Sequence, residues 1–221
     1  VGWISIENTN IDAPVVQADD NEYYLKHDFA KNNTKYGNSF MDYRNNNKEL
    51  DQNTIIYGHH MRNNMLFAQL ENYMTIEGFS ASPDIEFNTA YNNYKWKVYA
   101  VFVTNDVRED DNGYLFNYIV PNFHTRESFE SYIAALDERK LYDTGVDITA
   151  DDKILTLSTC SYEFDGARLV VVARMVRDGE SEEVDVTKAV ANENPRYPQK
   201  WYDVNGLSNP YRDAYRWEPN Q

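Results

Sequence analysis

The two strongest strand signals in the chain lie almost end to end. Ile154-Leu155-Thr156-Leu157-Ser158-Thr159-Cys160 and residues 168–176, opening Arg168-Leu169-Val170-Val171-Val172, are separated only by the loop 161–167. Runs this short and this rich in Leu, Val, Ile and Thr are strands rather than helices, and so short a connection makes them a hairpin. Alternation then places Thr156, Ser158 and Cys160 on one face and Leu155, Leu157 and Thr159 on the other. The sole cysteine of the chain therefore sits on the more polar face, at the end of its strand, across the loop mouth from Arg168.

The rest of the chain is read around that hairpin. Short strands are expected at Trp3-Ile4-Ser5-Ile6, at 11–16, at 38–43 and at 54–57, the last two separated by a polar loop with three consecutive Asn. Residues 84–89 and 94–104 form a second hairpin around Ala90-Tyr91-Asn92-Asn93. Helical spacing occurs twice. Leu66, Phe67, Leu70, Tyr73 and Met74 predict a short amphipathic helix over 65–74, and Phe129, Tyr132, Ile133 and Leu136 a longer one over 125–139, with Thr125 as N-cap. Residues 23–29 read as a helical turn. Beyond Arg177 neither period survives, and an acidic stretch gives way to a segment dense in Pro, Tyr, Trp and Asn, whose Trp201, Tyr202, Tyr211 and Trp217 are expected to lie against the main body. Strands outnumber helices, so the expected fold is mainly β, a closed barrel with peripheral helices. The chain divides at 178 into a main domain, 1–178, and an irregular aromatic-rich extension, 179–221.

Charge narrows the function. Twenty-one Lys and Arg against 36 Asp and Glu leave a net −15, which disfavours nonspecific binding to polynucleotides and repels anionic lipid headgroups. No apolar run approaches the ~18 residues that span a bilayer. The chain opens on Val1 rather than Met, as expected of a piece whose signal or anchor lies upstream.

Three side chains carry the chemistry. An inert buried thiol is the commonest fate of a lone cysteine, yet Cys160 has a cation within reach, and a guanidinium beside a thiol lowers its pKa and can hold an oxyanion. The bland reading of Arg168 is a surface cation beside Asp165. Ile55-Ile56-Tyr57-Gly58-His59-His60 runs a strand into two histidines, side chains whose unperturbed pKa suits acid–base work near neutrality. Adjacent residues face opposite ways, so at most one of the pair can meet Cys160, and the other reads as a loop histidine. His27 and His124 read as ordinary surface residues. A zinc site lacks both the Cys count and the His spacing.

These residues resemble the class B sortases of Gram-positive bacteria. Thr156-Leu157-Ser158-Thr159-Cys160 is similar to the sortase active-site strand, Arg168 before a Val-rich strand matches its essential arginine, and in Tyr57-Gly58-His59-His60 the His directly after Gly matches the catalytic histidine. The resemblance extends over about residues 2–177 and includes Asn38-Ser39-Phe40-Met41-Asp42-Tyr43-Arg44-Asn45; the helix at 125–139 favours class B. It implies a sortase-type barrel with its long helix before the last two strands. It also implies a cysteine transpeptidase with Cys160 as nucleophile, His59 as general acid and base and Arg168 on the oxyanion, needing no cofactor and no metal.

Asn21, Leu25, Tyr118, Ile119 and Ser158 are the substrate-groove residues the resemblance suggests. The implied partners are surface proteins carrying a C-terminal sorting signal, cleaved after Thr, and a peptidoglycan precursor amine of the lipid II type. The implied place is the extracellular face of the cytoplasmic membrane, reached through an N-terminal anchor outside this chain. Two rivals remain at this point: a papain-like cysteine protease, whose Cys ordinarily starts a helix, and a non-catalytic β-barrel binding module with Cys160 buried.

Overall fold

The computed structural model describes residues 1–61 and 65–219. Its strands are β1 (Gly2–Ser5), β2 (Asp12–Val16), β3 (Ser39–Met41), β4 (Asn53–Tyr57), β5 (Asp84–Thr89), β6 (Lys95–Asn105), β7 (Tyr142–Asp143), β8 (Ile154–Cys160), β9 (Ala167–Met175) and β10 (Val190–Ala191). Among the described residues eight of them close a barrel in the order β1-β2-β3-β4-β8-β9-β6-β5, while β7 and β10 pair separately. The β2–β3 and β4–β8 pairs are parallel and the other pairs described here are antiparallel.

Alternation along β8 organises the core. Leu155 and Leu157 point into the barrel with Ile4, Val15, Met41, Ile56, Trp96 and Val171, where burial of each large apolar side chain stabilises by about 1.5–3 kcal/mol. Val170 and Val172 of β9 and Phe102 of β6 point outward, into a second core covered by α2 (Arg126–Asp137) through Phe129, Tyr132 and Leu136. The Thr125 hydroxyl caps α2 by accepting from the Ser128 N–H at 3.1 Å.

The expected helix at 65–74 takes a different form. Phe67–Met74 is a 3₁₀ helix, broken at the extended Thr75, which caps the short α1 (Ile76–Ala81). Phe67, Leu70 and Tyr73 are buried three residues apart, which is the repeat of a 3₁₀ helix and brings all three side chains into the same core as Leu155 and Leu157. Residues 23–25 likewise form a single 3₁₀ turn.

Residues after 177 contain a 3₁₀ turn at Val186–Lys188, the two-residue β10 and a helix, α3 (Gln199–Asn205). Pro198 and the left-handed Gly206 bound α3, a helix too brief to give a legible apolar period. Trp217 is buried beside Phe116 and Tyr132, with its indole N–H donating to Ser131 Oγ at 3.0 Å. Tyr202 is buried too, whereas Trp201 is half-buried, stacked on Tyr197 and donating to Glu163 in the β8–β9 loop. Tyr211 is half-buried and its hydroxyl donates to the Asn194 carbonyl. Among the described residues no helix is long and apolar enough to cross a membrane.

Candidate active site

The β8–β9 register sets the centre of the site, because Cys160 pairs directly with Arg168. Two residues opposite one another in an antiparallel ladder share a face, and Arg168 Nη1 lies 3.2 Å from Cys160 Sγ. The same nitrogen donates to the Ala167 carbonyl at 3.3 Å, and Nη2 donates to Asp106 Oδ2 at 2.5 Å. Asp106, not the sequence neighbour Asp165, is therefore the carboxylate that holds the guanidinium. The cysteine is half-exposed rather than sealed in a core.

The histidines arrive by the parallel β4–β8 pairing, in which Tyr57 lies opposite Ser158. Gly58 continues the contact: its N–H donates to the Ser158 carbonyl at 3.2 Å and its own carbonyl accepts from Thr159 Oγ1 at 2.7 Å. A Cβ at Gly58 would fall 2.6 Å from the Phe67 ring, so only glycine lets the backbone pass between the 3₁₀ helix and β8. Past that point the two histidines diverge.

His59 faces the groove, and its Nε2 lies 2.9 Å from the Leu25 carbonyl. A carbonyl only accepts, so Nε2 carries the hydrogen and Nδ1 is the nitrogen free to exchange a proton. His60 is no ordinary loop histidine: it is largely buried under Tyr162, its Nδ1 lies 3.0 Å from the Cys160 carbonyl, and its Nε2 lies 3.4 Å from Glu71. Backbone rather than thiol is what it touches. His27 stacks on Tyr23, half-buried, and His124 is exposed.

A groove of about 400 Å³ opens over these groups, lined by Asn21, Leu25, Tyr118 and Ser158 as well as His59, Cys160 and Arg168. Ser158 Oγ and the Tyr118 hydroxyl are 2.9 Å apart. Tyr118 is fixed from behind, where its carbonyl accepts from Tyr132 of α2 and from Asn53, whose own Oδ1 accepts from Thr156. Ile119 does not line the groove; its side chain packs against the α2 core and its carbonyl accepts from Arg44 at 3.0 Å.

Phe40 and Tyr57 complete the wall, and neither stands out in the sequence as a groove residue. Phe40 packs on the Tyr57 ring, and the Tyr57 hydroxyl donates to Asp42, a fully buried carboxylate that also accepts from Asn21 and from both Nε and Nη2 of Arg44. Burial by itself would raise the Asp42 carboxyl, but these donors outweigh it and hold it below the usual carboxylate range. Burial also pushes the Tyr57 and Tyr118 hydroxyls up, so both stay neutral and act as hydrogen-bonding walls. The other titratable side chains lining the groove are His59, Cys160 and Arg168.

Known proteins share this arrangement of sequence and fold. The sortase-domain family pattern matches residues 4–176. Sortase B of Listeria monocytogenes is 35% identical over 178 residues, covering 80% of this chain and 69% of that protein. Sortase B of Staphylococcus aureus is 34% identical over 179 residues, covering 80% and 70%. Among solved structures, a Staphylococcus aureus sortase B–substrate complex superposes with a TM-score of 0.72 at 34% identity, over 80% of this chain and 79% of that one. Clostridium perfringens sortase B gives 0.71 at 35% identity, over 80% and 93%.

Proposed function

Since the chain belongs to the sortase family, in its class B, and is a cysteine transpeptidase, we propose that Cys160 is its nucleophile, His59 its general acid and base, and Arg168 its oxyanion donor. The observation that carries the assignment is the meeting of thiol and guanidinium at 3.2 Å in a groove that His59 also lines.

The substrate class is a surface protein with a C-terminal sorting signal. The Cys160 thiol passes its proton to His59 Nδ1, the resulting thiolate attacks the carbonyl carbon of the signal's Thr, and Arg168 donates to the oxygen that becomes negative. Collapse breaks the C–N bond as His59 Nδ1 gives its proton to the leaving amine, and a thioester on Cys160 results. An amine of a peptidoglycan precursor then attacks the thioester, His59 removes its proton, the new amide forms and the thiolate is expelled. One amide replaces another, so the exchange proceeds without an external energy source. Residues 1–178 make up the catalytic domain and 179–221 its extension, and the enzyme works on the extracellular face of the cytoplasmic membrane, held by an N-terminal segment outside this chain.

The strand-end position of Cys160 speaks against the papain-like alternative, whose thiol sits at a helix N-terminus. Its partial exposure beside a cation speaks against a merely structural thiol. Cys160→Ala tests the proposal through cleavage of a sorting-signal peptide and its transfer to an amine. Both activities are expected to vanish with the melting temperature unchanged, and turnover within about tenfold of wild type would remove Cys160 from the reaction.

A further inference from the structure

We propose that Asp106 is a positioning residue for Arg168, an inference that rests on the role given to Arg168 above. The β6–β9 ladder ends with Asn105 opposite Ala167 and Thr104 opposite Arg168, so Asp106 is the first residue past the ladder. Its N–H donates to the Gly166 carbonyl at 3.0 Å, which extends the pairing by one bond and aims the carboxylate back along β9. Oδ2 there takes Nη2 of Arg168 at 2.5 Å, leaving Nη1 directed at Sγ.

The β8–β9 loop keeps this space open. Gly166 has φ +87°, and a Cβ on it would lie 2.7 Å from Asp106 Oδ1 and 3.1 Å from Asp110 Oδ2. A side chain at this point would thus be strained and would push the carboxylate off the guanidinium. Among the described residues the guanidinium is otherwise held by the backbone carbonyl of Ala167, which takes the same Nη1 that meets Sγ and so leaves the other arm to Asp106. A planar fork delivers a donor in fixed geometry only when its other arm is held.

Charge and position make opposite demands on Asp106, which is what lets the idea be tested. If Arg168 acted through its charge alone, a carboxylate beside it would weaken the field at the thiol, and removing Asp106 would leave catalysis equal or faster. If the carboxylate aims the fork, its removal slows acyl transfer while the thiol, now facing an uncompensated guanidinium, reacts with a small electrophile at least as fast as before.

The experiment compares wild type, Asp106→Ala, Asp106→Asn, Arg168→Ala and the double variant Asp106→Ala/Arg168→Ala. Two readouts are followed, kcat and KM for transfer of a sorting-signal peptide and the rate of Cys160 alkylation by iodoacetamide. Asp106→Ala is expected to lose tenfold or more in kcat with KM little changed and alkylation not slowed. Asp106→Asn, which keeps an accepting oxygen, should lose less, and Asp106→Ala should cost nothing further once Arg168 is alanine. Activity of Asp106→Ala within twofold of wild type overturns the proposal, as does a loss of equal size in the Arg168→Ala background. A parallel fall of transfer and alkylation also overturns it, because that marks a merely structural residue. If Arg168→Ala itself turns over normally, the role given to Arg168 fails and Asp106 falls with it. If Arg168→Ala is inactive and Asp106→Ala is not, the positioning role alone is refuted.

Discussion

Replacing Arg168 by Lys keeps a positive charge beside the thiol and removes the fork that spans the site. In the native arrangement Nη1 reaches both Sγ, at 3.2 Å, and the Ala167 carbonyl, while Nη2 reaches the Asp106 carboxylate. A lysine ammonium is a single nitrogen on a flexible stem, and the carboxylate is its better partner, so it is drawn to Asp106 and away from the position where the oxyanion forms. The cost to the fold is small. The Arg168–Asp106 pair keeps 29% and 32% of its side-chain surface exposed, and pairs of that kind contribute about 0–1 kcal/mol. The cost to the reaction is larger, because loss of one oxyanion donor takes about 10²–10³ off the rate, or roughly 2.7–4 kcal/mol. Steady-state cleavage of a quenched sorting-signal peptide, measured beside a thermal melt, separates the two. The expected result is an unchanged melt with activity down about a hundredfold or more, and a Lys variant within tenfold of wild type would show that only the charge matters.

His59→Ala should lose about 10²–10⁴-fold in turnover, the usual contribution of general acid–base catalysis. His60→Ala should lose far less, because His60 bonds the Cys160 carbonyl rather than facing the groove; peptide-cleavage rates of the two variants check this, and equal losses would contradict the division of roles. Trp217→Ala removes a buried ring packed on Phe116 and Tyr132. It should cost about 3–5 kcal/mol in urea denaturation, or about 6–20 °C in melting temperature, and a loss below 1 kcal/mol would mean that the extension is not integral to the second core.

Elements whose signal is local were legible in the sequence. The β8–β9 hairpin follows from two dense runs of Leu, Val and Thr joined by a short loop, and α2 from Thr125 and an apolar face at helical spacing. The groove residues Asn21, Leu25, Tyr118 and Ser158 came from the family resemblance, and the structure brings all four to the groove together with His59, Cys160 and Arg168. What escaped depends on contacts distant in the chain. Asp165 is the nearest acidic neighbour of Arg168 in sequence, but the β6–β9 ladder delivers Asp106 from 62 positions away. Asp42 reads as one polar residue among many until the chain folds Asn21, Arg44 and Tyr57 onto it. His60 gains its role only because β8 lies beside β4 and offers the Cys160 carbonyl. Phe67, Leu70 and Tyr73 satisfy a three-residue repeat as well as a helical face, and the break at Thr75 decides for the tighter 3₁₀ form.

Trapping the acyl-enzyme tests the central claim, that peptide-bond exchange proceeds through Cys160, most directly. The enzyme is mixed with a sorting-signal peptide without added amine, quenched in acid within seconds, digested and analysed by mass spectrometry. The expected result is a mass gain equal to the N-terminal fragment of the peptide, ending in Thr, on the fragment that contains Cys160. That adduct should disappear when an amine acceptor is supplied before the quench, with the transfer product appearing in equal amount. Product formation at full rate with Cys160 unmodified throughout, or an adduct that persists unchanged in the presence of the amine, would contradict the mechanism.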